Sequence, residues 1–154
     1  LLDELGDLRA HAGDYAGAIK NLNRSLGFDP HAYKTGYNLG LAFYHAGNLP
    51  KAITTPEALQ KDRDNAELAN LLGEVYEEDK KYLEAVRAFQ KAADMAPSNE
   101  EYRFDLVFQL VAHQNYDAAT LVAQPAVHDF PKSLRLNLAL GVAHFVSGLY
   151  DDSL

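Results

Sequence analysis

A short set of landmarks returns along this chain at a step of 34 or 33 residues. A period of that length restricts the fold more than any other feature of the sequence, because it marks stacked supersecondary units. The set is clearest in GEVYEEDKKYLEAVRAFQKAADMAP, Gly73 to Pro97. A small residue, Gly73, has counterparts at Gly6, Gly40 and Gly141, with Val107 in the fourth position. An alanine recurs as Ala18, Ala52, Ala85 and Ala119, followed by Ser153. The residue after the turn recurs as Tyr15, Leu49, Tyr82, Tyr116 and Tyr150, and the turns themselves are Gly13-Asp14, Gly47-Asn48, Lys80-Lys81, Gln114-Asn115 and Gly148-Leu149. Pro30, Asp64, Pro97 and Pro131 close the units.

Each half of a unit carries apolar residues three and four apart, as in Leu39, Phe43 and Ala46 or Ala85, Val86, Phe89 and Ala92. That spacing predicts two amphipathic helices per unit, joined by turn chemistry. Gly40 and Ala52 are expected where the two helices cross closely, and Ser98 and Ser133 are expected to cap the helices that follow the closing prolines. The step shortens by one residue between Asp64 and Gly73, in the loop between units, where a deletion is best tolerated. Nine main helices and no sheet are expected.

These residues resemble the tetratricopeptide repeat family over nearly the whole chain. The resemblance divides it into units of about 1–32, 33–65, 66–99, 100–133 and a partial 134–154. It implies an all-α fold, a right-handed α-α superhelix of stacked antiparallel helix pairs in a single array. In that architecture the first helix of each pair lines a concave groove. The opening residues, LLDELGDLRA, read as mid-helix sequence, so the chain is expected to be cut from a longer protein. The family's tryptophan near the start of each unit is replaced by Leu2, Gly36, Ala69, Arg103 and Asn137.

Some departures from the pattern carry information. Val107 stands where a small residue is expected, and Ala123 stands where Leu22 and Phe89 are large. The interchange conserves volume, so compensation is expected. Pro56 and Pro125 fall inside second helices, and an interior proline removes a hydrogen bond. Kinks or breaks are expected near Thr55 and Gln124, as bends on the convex side.

Periodicity also assigns the groove. Its stripe on the second unit is Lys34, Tyr37, Asn38, Leu41, Tyr44 and His45. The first unit contributes Asp3, Glu4, Asp7, Ala10 and His11, and the third Glu67, Asn70, Leu71, Glu74, Glu77 and Glu78. The fourth contributes Glu101, Phe104, Asp105, Phe108 and Val111. The expected ligand contacts are Tyr37, Asn38, Leu41, Tyr44, His45, Asn70, Glu74, Glu77, Glu78, Phe104, Asp105 and Phe108, with Phe104 and Phe108 as aromatic anchors. Lys34 and Arg135 are the only opposing charges on these stripes. The stripe of the last unit includes Leu138, Val142 and Phe145, and an uncapped solenoid end of that kind is expected to self-associate.

The partner is read from charge. The net charge of −8 disfavours nucleic acid, and the acidic stripe favours a protein segment with basic residues flanking an apolar anchor. One use of the family, the clamp that grips an acidic C-terminal tail, needs basic residues and asparagines at places that here hold Asp3, Asp7, Asn38, Glu67 and Leu71. Only Asn38 fits, so such a tail is not the expected ligand. Catalysis is not expected either. The six histidines form no zinc pattern, no serine sits in a nucleophile elbow, and the absence of cysteine removes thiolate chemistry. No cofactor, metal site or membrane span is read from the sequence. The reading is a non-catalytic interaction scaffold. Its alternatives are a regulatory or substrate-recruiting region of a larger enzyme, and a carrier of a small apolar ligand on the Phe104–Phe145 surface.

Overall fold

The architecture is set by one turn repeated four times. After each first helix the chain enters the left-handed region at Gly13, Gly47, Lys80 and Gln114, with φ of 78°, 72°, 59° and 61°. At each turn two main-chain bonds close it. The N–H of the left-handed residue donates three residues back, and the next N–H donates five back: Asp14 to Arg9 and Asn48 to Phe43 at 2.9 Å, Lys81 to Tyr76 and Asn115 to Leu110 at 2.8 Å. This pair of bonds satisfies carbonyls that a helix end leaves open. The side chains of Asp14 and Asn48 then accept from Gly17 and Lys51 and start the second helix.

The structure, a computed structural model, describes residues 1–151, with side chains described through residue 148. Among the described residues there are nine helices and no strand. They are α1 (Leu2–His11), α2 (Tyr15–Phe28), α3 (Tyr33–His45), α4 (Leu49–Asp62), α5 (Ala66–Glu78), α6 (Tyr82–Met95), α7 (Glu100–Ala112), α8 (Tyr116–Asp129) and α9 (Leu134–Asp151). They pack as sequential antiparallel pairs. The chain forms two compact parts, residues 1–85 and 86–154. In the first, α1 packs on α2, α2 on α3, α3 on α4 and α4 on α5. In the second, α9 packs on both α7 and α8.

The repeating alanines Ala18, Ala52, Ala85 and Ala119 are all fully buried. Gly6 is small for a definite reason: a methyl group there would lie 2.7 Å from Leu22 Cγ, and Leu22 is itself fully buried. Gly40 meets Pro56 rather than Ala52, with the Pro56 ring carbon 3.0 Å from where its Cβ would be. In the second part Val107 and Ala123 sit in one buried cluster with Ala126, Leu136 and Ala139. The large residue lies on α2 in the first unit and on α7 in the fourth, so the expected exchange of volume is present.

Four expectations need correction. Helices α4 and α8 continue through Pro56 and Pro125, so the chain does not break at either proline. Pro56 is not a bend on an outer surface; it is fully buried and fills the place that Leu22 fills in the first unit. The cap of α7 is Asn99, whose side chain accepts from Glu101 N–H, and not Ser98. Ser133 does cap α9, accepting from Leu136 N–H at 3.3 Å. The turn expected at Gly148-Leu149 is absent, and α9 continues to Asp151. Glycine permits the left-handed turn without requiring it. Ser153, in the alanine column, lies outside the described residues.

Lys80 and Gln114 hold a conformation that costs a residue with a Cβ about 1–2 kcal/mol. Lys80→Gly and Gln114→Gly are each expected to raise stability by about 0.5–1 kcal/mol, because glycine relieves the strain but loses more entropy on folding. Urea unfolding checks this, and a lowered midpoint for both would mean the side chains contribute more than the backbone conformation.

Candidate functional site

In the part formed by residues 1–85, α1 and α3 lie side by side and leave a cavity of about 340 Å³. Asp7, Ala10 and His11 of α1 form one wall, Lys34, Asn38, Leu41, Ala42 and His45 of α3 the other, and Tyr15 at the start of α2 closes an end. Sites for small ligands and side chains begin at about this volume.

The polar groups of the cavity are held in place. Asn38 Nδ2 donates to Asp7 Oδ1 at 2.6 Å, and Lys34 Nζ lies 3.4 Å from Asp7 Oδ2. His11 Nδ1 is 2.8 Å from the Asp7 carbonyl, a turn back on the same helix. The His45 ring stacks on Tyr15, centroids 5.3 Å apart at 22°, and meets Tyr44 at 5.3 Å and 41°. Leu41 is half-buried between these groups. The cavity therefore has an apolar and aromatic lining with one carboxylate already matched by an amide and an ammonium.

Beyond Tyr44 the surface turns acidic. A second recess is lined by Tyr44, His45, Gly47, Leu49 and Glu78. Burial raises the Tyr44 phenol above its ordinary pKa, and the Glu74 and Glu78 carboxylates nearby raise it further. Asn70 donates to Glu74 at 3.2 Å, while its own buried Oδ1 has no hydrogen-bond partner. Glu77 is half-buried and Glu78 exposed. Tyr37 stacks on Tyr33 at 6.3 Å, and the Tyr33 hydroxyl donates to Glu67 at 3.0 Å, so Glu67 is engaged with the start of α3.

In the part formed by residues 86–154, Phe104 and Phe108 are neighbours on α7, centroids 5.7 Å apart. Their environments differ. Phe104 is half-buried against the Val107–Leu136 cluster and lies under Arg135, whose guanidinium is 4.8 Å from its centroid. Arg135 Nε also donates to Glu100 at 2.9 Å, and Ser133 Oγ donates to the same oxygen at 2.7 Å. These two bonds hold the Glu100 carboxyl below its ordinary pKa. Phe108 is 53% exposed. Phe104 is thus part of the packing between α7 and α9, and only Phe108 presents most of its ring. Asp105 is half-buried on the same helix. Leu138, Val142 and Phe145 are exposed along α9.

Of the residues expected to meet a ligand, the structure brings Asn38, Leu41 and His45 into the cavity and Tyr44, Glu74 and Glu78 beside it. Sequence reasoning placed Asp7, Ala10, His11 and Lys34 on the groove stripes without choosing them, and it missed Tyr15. The signal for Tyr15 was present, since it is the aromatic that opens a second helix, but it was read only as turn punctuation. Among the described residues no cluster of histidines and carboxylates is built to hold a metal ion, and no helix is long and apolar enough to cross a membrane.

The tetratricopeptide repeat profile matches residues 9–75, and a second profile of the same description matches 57–100 and 109–154. The chain belongs to the tetratricopeptide repeat family. It is 27% identical over 93% of its length to a BBSome complex member, BBS4, from Bos taurus, and 30% identical over 72% to a peroxisomal targeting signal receptor from Candida albicans. It spans only 28% and 19% of those two proteins. Among solved structures it is similar in fold to MamA, with a TM-score of 0.82, 23% identity, and coverage of 98% of this chain and 83% of that one. It is also similar to YrrB, described as a tetratricopeptide repeat protein with an unusual peptide-binding site, with a TM-score of 0.75 at 19% identity, covering 96% of this chain and 76% of that one.

Proposed function

We propose that this tetratricopeptide chain is a non-catalytic scaffold that binds an extended protein segment across α1, α3 and α5. The α1–α3 cavity carries the proposal. Its volume and its Tyr15, Leu41 and His45 lining suit one bulky apolar side chain. Glu74 and Glu78, next along the surface, suit a lysine or arginine a few residues away on the same segment. The ligand chemistry is the basic segment with an apolar anchor expected from the stripes, but the anchor site moves from Phe104 and Phe108 to the α1–α3 cavity. Two of the similar proteins, a targeting signal receptor and a protein with a peptide-binding site, carry names consistent with a peptide ligand.

A random peptide library selected on the purified chain tests this. Enriched sequences are expected to pair a bulky apolar residue with nearby Lys or Arg. Their binding should weaken as salt rises, because exposed charges are screened beyond about 8 Å at physiological ionic strength. Leu41→Arg is expected to cost at least tenfold in affinity and Glu78→Lys less, since apolar anchors dominate binding energy in most interfaces. Selected peptides that bind both variants as tightly as the parent would refute the assignment.

A further inference from the structure

The α1–α3 cavity holds one carboxylate whose two oxygens are matched unequally. Asp7 Oδ1 accepts from Asn38 Nδ2 at 2.6 Å, a short bond between half-buried residues. Asp7 Oδ2 faces Lys34 Nζ at 3.4 Å, and that contact is loose: the Lys34 side chain is 79% exposed, against 20% for Asp7. An ammonium so exposed contributes little to holding its partner. Among the described residues the Asp7 carboxylate has no other side-chain partner. An ionised carboxylate offers about four acceptor positions, so Oδ2 keeps capacity for a stronger donor. The walls around it are apolar and aromatic. Ala10, Leu41 and Ala42 line the cavity beside Tyr15, whose ring stacks on His45 with centroids 5.3 Å apart.

We infer that the anchor of the bound segment is an aromatic side chain carrying a hydrogen-bond donor, tryptophan or tyrosine, whose N–H or O–H donates to Asp7 Oδ2 while its ring lies against Tyr15, Leu41 and His45. The inference rests on the scaffold function proposed above and narrows its ligand. Any side chain that fills the cavity takes Asp7 out of water. Leucine or phenylalanine would leave Oδ2 without a strong donor, and a buried acceptor left unmatched is costly. A donor aimed at a carboxylate forms one of the stronger hydrogen bonds. Tryptophan and tyrosine combine that donor with a ring that suits the apolar walls. A lysine or arginine anchor is disfavoured, because Lys34 already places an ammonium beside Oδ2 and like charges repel. Sites that bond a polar group of the ligand reject the analogue lacking it far more strongly than apolar pockets reject a change of size.

Small surrogates of the side chains test this on the purified chain, with binding followed by amide NMR shifts. One pair is 3-methylindole and its N-methylated form, and the other is p-cresol and toluene. Within a pair, the member with the donor is expected to bind at least about tenfold more tightly and to shift Asp7, Leu41 and His45, since bonds to charged groups are the strong ones. The comparison on the parent chain needs no variant. Asp7→Asn turns an amide N–H toward the ligand in place of Oδ2 and is expected to erase the preference for 3-methylindole. Lys34→Met removes the competing ammonium and should keep the preference or raise it. No preference within either pair, a preference for 3-methylindole that survives Asp7→Asn, or one that Lys34→Met abolishes overturns the inference. The scaffold function fails or stands separately: selected peptides with leucine or phenylalanine anchors that depend on Leu41 would keep the scaffold and discard the aromatic donor.

Discussion

Gly6→Val is expected to destabilise the protein by about 2–3 kcal/mol, the upper range for forcing extra carbon into a packed interior. Its Cβ would fall 2.7 Å from Leu22 Cγ and 2.8 Å from Leu22 Cδ2, and Leu22 is fully buried. Leu22→Ala alone should cost about 3 kcal/mol through the cavity it leaves. The informative variant is the double. Gly6→Val with Leu22→Ala reproduces in the first unit the Val107–Ala123 pair that the fourth unit already carries, both residues fully buried. Contacting residues of this kind couple by about 0.5–3 kcal/mol. The double variant is therefore expected to be at least 1–2 kcal/mol more stable than the sum of the single effects. Urea midpoints for the four proteins measure it, and strict additivity would mean that the two positions do not share one packing site.

Pro125→Ala is expected to stabilise the protein by about 2 kcal/mol. A helical proline is about 3 kcal/mol worse than alanine, less up to about 1 kcal/mol for the stiffness it gives the unfolded chain. Pro125 is exposed within a continuous α8 and fills no space in the core, so removing it sacrifices no buried contact. Pro56→Ala makes the contrast. Pro56 is fully buried against Gly40, and the packing lost there offsets the hydrogen bond regained. Calorimetry on both variants separates the cases. Equal stabilisation by the two would show that the Pro56 ring contributes nothing to the Gly40 contact.

The contrast between these prolines shows where the sequence was readable. Helix number and pairing follow from columns that repeat; the small-residue column is less uniform, since Gly6 and Gly40 meet Leu22 and Pro56 closely while Gly141 has no neighbour within 4 Å. Pro56 belongs to the column of Leu22, Phe89 and Ala123, and its role as a filler was available from that alignment; the helix-breaking property of proline obscured it. The end of α9 shows the reverse, a turn signal at Gly148 that the backbone does not use. The site was less legible than the fold. Periodicity identifies which stripe a residue lies on, but the cavity exists because α1 and α3 approach closely at Asp7 and Asn38, and because Tyr15 crosses over from a different helix. Phe104 and Phe108 look alike in the sequence. Packing against the Val107–Leu136 cluster and the approach of Arg135 from α9 separate the ring that packs from the ring that faces solvent.

The turns that close the helix pairs have an evolutionary consequence. Their two closing bonds join main-chain atoms only, at Lys80 and Gln114 as at Gly13 and Gly47. Side-chain identity at these positions is therefore restrained by a modest conformational penalty and not by the closing bonds themselves. Each replacement of glycine leaves the helix pair standing and lowers its local stability slightly. A chain that loses such glycines one unit at a time keeps the turn, and its neighbouring pairs come to differ in how readily they open.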